Sequence, residues 1–388
     1  MARSKSVAPS ATSRALVRAS NSREETPPAG RPPGRPRLRR SNPSLPGYTR
    51  TRQGARFGYR DLDGSPLTDP DALLRIKQLA IPPAWRDVWI CPDPLGHLQA
   101  TGLDAAGRLQ YRYHDRWREQ QDHKKFTLMV AFAHTLPGMR EEVIKTMRAN
   151  THLDRARVLA CAVRLLDVGL FRIGSEVYER EDGHLGLATI AKANVSAAEG
   201  RLVFDYVAKE GVRRLQTIED PLCAEIVAAL KRRRGGGEHL FAYRDGREWH
   251  PVHSQHINDF LKRLIGEQFS AKNFRTWNGT VLAAVSLAGA GRDATTQRAR
   301  QRAIAAAARD VSEVLGNTPA VARRSYIDPR VFDRFLCGWT IARELDWGAA
   351  LNESGDQRRA LVERAVLDLL AADHHPSEPE PSPTMQMP

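Results

Sequence analysis

The feature that most constrains the fold is a change of hydrophobic period near Phe126. Before it, apolar residues come in short runs at 88–91, 98–101 and 109–113, separated by Pro92-Asp93-Pro94-Leu95-Gly96 and Asp104-Ala105-Ala106-Gly107. Runs bounded by such turn residues predict an antiparallel meander. A helix over 71–80 precedes it, following Asp69-Pro70 and stopping before Pro82-Pro83. Beyond Phe126 the period becomes helical, over 127–135, 140–149, 154–169, 221–232, 254–265, 272–287 and 294–315. Short runs at 185–190, 202–207 and 212–217 predict a small three-stranded sheet inserted among these helices. The fold class is therefore α+β, with a small antiparallel β-sheet domain at 47–125 and a larger, mainly α-helical domain at 126–372.

The two ends read differently. Residues 1–46 are rich in Ser, Pro, Ala and Arg without apolar periodicity, and 373–388 are Pro, Ser and Glu, so a disordered basic arm and a disordered tail are expected. Pro32 to Arg40 contains Gly34-Arg35-Pro36, which resembles the core of a minor-groove AT-hook; a nonspecific phosphate-binding tail fits the same residues. The net charge is +14. Residues 1–40 hold ten Lys/Arg against two acids, and 371–388 hold three acids with no Lys or Arg, which leaves an excess of nine positive charges on 41–370. An excess on the folded part points to a polyanion, most often nucleic acid. There is no run of about 18 apolar residues to span a membrane, and Met1-Ala2-Arg3-Ser4-Lys5 lacks the apolar stretch of a secretory signal. Cys91, Cys161, Cys223 and Cys337 lie far apart without CxxC spacing, which reads as reduced thiols in a cytoplasmic protein.

Six residues stand out chemically in the helical part. Arg172 lies between apolar neighbours in Leu170-Phe171-Arg172-Ile173-Gly174, and a buried guanidinium needs an anion, either a ligand or the nearby Glu176. Lys209 sits at a strand–turn–strand tip, where a lysine is either solubilising or functional. Lys272 and Arg275 fall one turn apart at the start of a helix, hence on one face. Thr318-Pro319 reads as an N-cap and first helical residue of a short helix closing at Asp328-Pro329, with Tyr326 two turns on. Asn317 and Tyr326 then lie roughly 10 Å apart along that helix, so both reach one phosphate only if the helix bends or a ligand re-aims the ring. His250, His253 and His256 have spacings that drift around a helix, and Ser254 reads as an N-cap, so they make a poor zinc site.

In the small domain, Gln99 and Gln110 carry amides able to pair with base edges. Alternation in Tyr111-Arg112-Tyr113 puts both tyrosines on one face and Arg112 on the other. That face is either a DNA-facing surface or the core side of the meander.

Taken in order, Phe171-Arg172-Ile173-Gly174, Lys209 before a glycine turn, Lys272-Asn273-Phe274-Arg275-Thr276-Trp277, Leu315-Gly316-Asn317-Thr318-Pro319 and Arg324-Ser325-Tyr326-Ile327 resemble the motifs of a type IB DNA topoisomerase of the compact poxvirus and bacterial branch. The likeness covers about 48–345, including Ala80-Ile81-Pro82-Pro83-Ala84-Trp85 and Gln110-Tyr111-Arg112-Tyr113-His114. It implies a monomer whose two domains clamp duplex DNA. It also implies ATP-independent relaxation of supercoils without metal or other cofactor. In that scheme Tyr326 is the nucleophile forming a 3′-phosphotyrosyl link, Arg172 and Arg275 clamp the phosphate, Asn317 donates a hydrogen bond, and Lys209 is the general acid. Lys272, Gln99, Gln110, Tyr111, Arg112 and Tyr113 are the implied DNA contacts. Many such enzymes carry histidine where this chain has Asn317, and an amide can donate but cannot titrate. A tyrosine recombinase shares the Arg, Lys, Arg, Tyr logic, but usually has histidine at the positions of Lys272 and Asn317. A non-cutting architectural DNA-binding protein is the remaining alternative.

Overall fold

The computed structural model describes residues 36–371, apart from 55, 177, 178, 181, 182, 292 and 351–354. Most of the expected basic arm, Gly34-Arg35 included, and the expected tail lie outside the described residues. The chain forms two compact units that divide between Arg118 and Glu119.

The first unit is a five-stranded antiparallel sheet. Its strands are β1 (Tyr48–Gln53), β2 (Arg56–Arg60), β3 (Arg86–Ile90), β4 (Leu98–Leu103) and β5 (Leu109–Tyr113), in the spatial order β2-β1-β3-β4-β5. Helix α1 (Pro70–Gln78) is capped by Asp69, whose carboxylate accepts from Asp71 N–H, and has Pro70 at its first turn. Ile76 and Ala72 on α1 pack with Val88, Ile90, Ala100 and Leu67 as the unit's core.

Residues 36–46 are not part of a free arm. Arg39 pairs with the β3–β4 turn through Arg39 N–H to Leu95 O and His97 N–H to Arg39 O. Ser41 Oγ bonds both the amide and the carbonyl of Leu98, and Trp89 Nε1–H donates to Leu45 O. Each of these bonds has a backbone group on at least one side and spans more than 40 residues, which composition does not encode.

The second unit begins inside helix α2 (Asp115–Arg148), which runs through the two segments expected as separate helices. Pro137 removes one ladder bond. The buried stripe Phe126, Met129, Phe132, Leu136, Met139, Val143, Met147 nevertheless continues past it, and Pro137 itself is exposed. Helices α3 (Arg155–Gly169), α4 (Pro221–Arg232), α5 (Ser254–Ile265), α6 (Ala271–Ala290), α7 (Gln297–Leu315), α8 (Pro319–Ser325), α9 (Pro329–Leu336), α10 (Ala342–Ala350) and α11 (Gly355–Ala371) follow. The inserted sheet consists of β6 (Val195–Ala198), β7 (Arg201–Val207) and β8 (Arg213–Glu219), and a hairpin of β9 (Ala242–Asp245) and β10 (Glu248–Pro251) follows α4.

The first strand of the three-stranded sheet is thus 195–198 and not 185–190. Glu199 and Gly200 both adopt positive φ, 50° and 75°. A two-residue turn of that kind matches strand twist and fixes the β6–β7 hairpin.

A buried ion network ties the helices together. Asp167 on α3, whose side chain is shielded from solvent, accepts from Arg140 on α2 (2.9 and 3.1 Å) and from Arg359 on α11 (2.6 Å). Arg359 also donates to Asn278 on α6 (3.2 Å), three residues beyond Arg275 on the same helix. Asp167→Ala leaves Arg140 and Arg359 without this partner, and should cost about 3–5 kcal/mol. The check is the urea-unfolding free energy of the full chain.

Candidate active site

Local structure fixes Arg172 before any ligand is considered. Helix α3 ends at Gly169, and Leu170 turns the chain with φ 54°. Phe171 anchors the turn in the core, edge-on to Phe204 at 4.8 Å. The backbone beyond is zipped to 187–188, with Leu187 N–H to Arg172 O (2.9 Å) and Ala188 N–H to Ile173 O (2.7 Å). Gly174 and Gly186 cross so closely that a Cβ on Gly186 would lie 2.4 Å from Gly174 Cα. The segment 185–190, expected as a strand, therefore braces the loop that carries Arg172.

The partner of Arg172 is not Glu176. Its guanidinium donates to Asn317 Oδ1 (2.6 Å) and Gly316 O (3.1 Å), while the Glu176 carboxylate meets His253 Nδ1. Among the described residues no group of three His, Cys, Asp or Glu has a metal-binding arrangement.

Asn317 is positioned by the way α7 ends. Gly316 takes φ 61°, Gly316 N–H bonds Glu313 O, and Asn317 N–H bonds Ser312 O (2.9 Å). This is the Schellman pattern, which consumes two of the helix's terminal carbonyl sites. Arginines take the carbonyls of Val314, Leu315 and Gly316 and share that of Glu313. Arg214 on β8 donates to Glu313 O (3.0 Å) and Val314 O (2.5 Å), Arg275 on α6 to Leu315 O (2.7 Å), and Arg172 to Gly316 O. A helix C-terminus carries partial negative charge, so it holds three like-charged side chains close together. Arg214 was missed from the sequence; its signal is its place on the β8 face shared with the buried Ile218.

Arg275 is 5% exposed and also donates to Leu170 O (2.7 Å). Burial, then the charge of Arg172, lowers its pKa to about 10, against the opposing influence of Tyr326. The Tyr326 ring centroid lies 5.3 Å from its guanidinium carbon. Burial pushes the Tyr326 phenol up, but the charges of Arg275, Arg172 and Lys272 outweigh it and hold the phenol below its ordinary value. Tyr326 follows the last residue of α8, with φ −126° and ψ −10°, so the chain has left the helix where the ring begins. The ring at that departure point lies beside Arg275. Two buried donors here have no hydrogen-bond partner, Arg275 Nε and Asn317 Nδ2.

Lys209 is exposed in a 3-10 turn, Lys209–Gly211, between β7 and β8, and lines one pocket with Arg172, Arg214 and Arg275. Lys272 is exposed in the first turn of α6, near enough for its charge to act on Tyr326. The structure thus gathers Arg172, Lys209, Lys272, Arg275, Asn317 and Tyr326 from segments 154 residues apart in sequence.

In the first unit, Tyr111 is 49% exposed and stacks on Tyr113 with centroids 6.0 Å apart, so this face is not the core side of the meander. Arg112 is half-buried, and Gln110 Nε2 donates to Asp104 (2.9 Å). Gln99 departs from expectation. It is 2% exposed, accepts from Arg75 (2.6 Å) and donates to Gly96 O (2.7 Å), so its amide holds the β3–β4 turn and has no free edge to offer a base.

A family profile described as the catalytic core of eukaryotic DNA topoisomerase I matches residues 114–333, more than half of the chain. The chain belongs to the type IB DNA topoisomerase family. A second profile, the N-terminal domain of bacterial DNA topoisomerase IB, matches 56–104 within the five-stranded sheet. The chain is also 27% identical over 290 residues to a DNA topoisomerase 1B of Acanthamoeba polyphaga mimivirus, covering 73% of this chain and 85% of that one. The protein is accordingly an isomerase that acts on DNA. No helix among the described residues is long and apolar enough to cross a membrane.

The electrostatics can be read directly. In protein with 13C-labelled tyrosine, the Tyr326 signal, assigned by its loss in Tyr326→Phe, should titrate below an ordinary phenol. In Arg275→Gln burial remains while the main lowering charge is gone, so the midpoint should move up.

Proposed function

We propose that this topoisomerase relaxes supercoiled duplex DNA by cutting and resealing one strand through Tyr326, acting as a monomer on DNA in the cytoplasm. The observation that carries the proposal is the tyrosine held against two clustered guanidiniums, Arg275 and Arg172, with Arg275 Nε and Asn317 Nδ2 buried and unpartnered beside it. A buried unpaired donor costs about 1–3 kcal/mol, and a phosphate oxygen would satisfy both.

In the proposed step Tyr326 Oη, its acidity raised by the neighbouring cations, gives its proton to water and attacks phosphorus. The bond from phosphorus to the 5′-oxygen breaks, leaving a 3′-phosphotyrosyl link and a free 5′-hydroxyl. Arg172 and Arg275 stabilise charge on the nonbridging oxygens as it builds up. Asn317 Nδ2 adds a neutral donor, its Oδ1 being committed to Arg172. Lys209, on its exposed turn over the same pocket, supplies the proton to the leaving 5′-oxygen. Resealing is the reverse, and the phosphotyrosyl bond conserves the energy, so neither ATP nor a metal ion enters the scheme. Lys272 is the proposed backbone-phosphate contact. Tyr111, Arg112, Tyr113 and Gln110 are the proposed contacts of the first unit.

Plasmid relaxation in EDTA without nucleotide tests the proposal. Wild type should relax the plasmid and leave, on denaturant quench, a covalent adduct mapping to Tyr326. Tyr326→Phe should lose both activities and keep noncovalent binding. Relaxation by Tyr326→Phe would refute the assignment, and exchange confined to paired sites would indicate a recombinase.

A further inference from the structure

Helix α6 does more than present Arg275. One turn beyond it, Gly279 and Thr280 lie against the backbone of Tyr326. A Cβ on Gly279 would stand 2.7 Å from Tyr326 O, 3.2 Å from Tyr326 Cβ and 3.3 Å from Leu315 Cδ1. Gly279 has no positive φ, so what the site demands there is space and not an unusual backbone conformation. The nearest atom is main chain, so any larger residue must displace the Tyr326 peptide itself.

Thr280, buried at 1% exposure, works on the same segment. Its hydroxyl accepts from Asp328 N–H (3.0 Å) and has Thr276 O (3.1 Å) and Tyr326 O (3.4 Å) as acceptors for its single proton. The Tyr326 peptide is held on its other side by its own N–H, which donates to Ala322 O (3.0 Å). Asp328 is locked in turn, its carboxylate capping Arg330 N–H (3.0 Å) and pairing with the Arg330 guanidinium (2.7 Å).

We infer that Gly279 and Thr280 are positioning residues for Tyr326. Resting on the proposed role of Tyr326, this makes α6 a common scaffold for tyrosine and guanidinium. Arg275 fixes the phosphate side, and four and five residues later the same rigid helix fixes the attacking side. The separation of the two groups is then set within one helical turn and not by the packing of independent elements. Because cleavage demands alignment to a fraction of an ångström, a methyl group at Gly279 should misplace Tyr326 without touching DNA.

The test uses the full chain and a 5′-labelled duplex under single-turnover conditions, with adduct formation, duplex affinity and the Tyr326 titration measured together. Gly279→Ala should form the Tyr326 adduct at least about tenfold more slowly with unchanged duplex affinity. Its Tyr326 phenol, moved from Arg275, should titrate higher than in wild type. Thr280→Val should slow cleavage in the same sense, because the Asp328 amide loses its acceptor, and Thr280→Ser should restore the wild-type rate. The threonine pair decides the matter if Gly279→Ala does not fold. Wild-type cleavage by Gly279→Ala, equal rates for the Val and Ser variants, or parallel loss of affinity and cleavage would overturn the inference. Those results, with Tyr326→Phe still inactive, leave the proposed function standing; an adduct formed by Tyr326→Phe would remove both.

Discussion

The site depends on the carbonyl end of α7. Arg172, Arg214 and Arg275 come from a loop, a strand and a helix, and a cluster of guanidiniums repels itself at the low dielectric of a half-buried pocket. What offsets that repulsion is a run of successive carbonyls at the helix terminus, Glu313 through Gly316, of which the first is shared with a backbone amide and the other three are left free by the helix. The cluster is thereby assembled without any carboxylate. This matters for a phosphate-handling site, since a carboxylate would neutralise the charge, whereas partial charges on carbonyls leave it largely available.

The same helix end sets the position of Asn317. The left-handed Gly316 turns the chain so that the side chain following it meets Arg172, and Thr318-Pro319 at once starts α8. Tyr326 comes after the last residue of that short helix, where the backbone departs from helical angles, and its peptide rests on Gly279 and Thr280 of α6. Each polar group of the site is thus tied to an element end, where backbone groups are free to bond side chains.

Much of this was legible in the sequence. The periodic spans 221–232 and 254–265 coincide with α4 and α5, and α8 begins at Thr318-Pro319 as its cap signal indicates. The order of basic and aromatic motifs pointed to the family before any geometry. Readings failed where the deciding contact was backbone to backbone or long in range. Residues 185–190 have strand composition but bond the Arg172 loop, and residues 36–46 look like a free arm but pair with the β3–β4 turn. Residues 127–135 and 140–149 read as two helices, yet the buried stripe of α2 runs on through Pro137 and outweighs one lost hydrogen bond. Gln99 looked like a base reader because its burial is invisible in sequence.

The sequence by itself determined the fold class, the capped helices and the identity of the residues gathered at the site, because periodicity, capping and residue chemistry act over a few neighbouring positions. Tertiary structure alone decided which group each arginine holds, which donors stay unpartnered, and that Arg214, Gly279 and Thr280 belong to the site. The physical reason is that a guanidinium bonds whichever acceptor packing brings within about 3 Å. For Arg172 that acceptor is the amide of a residue 145 positions away, and not the glutamate four positions along the chain.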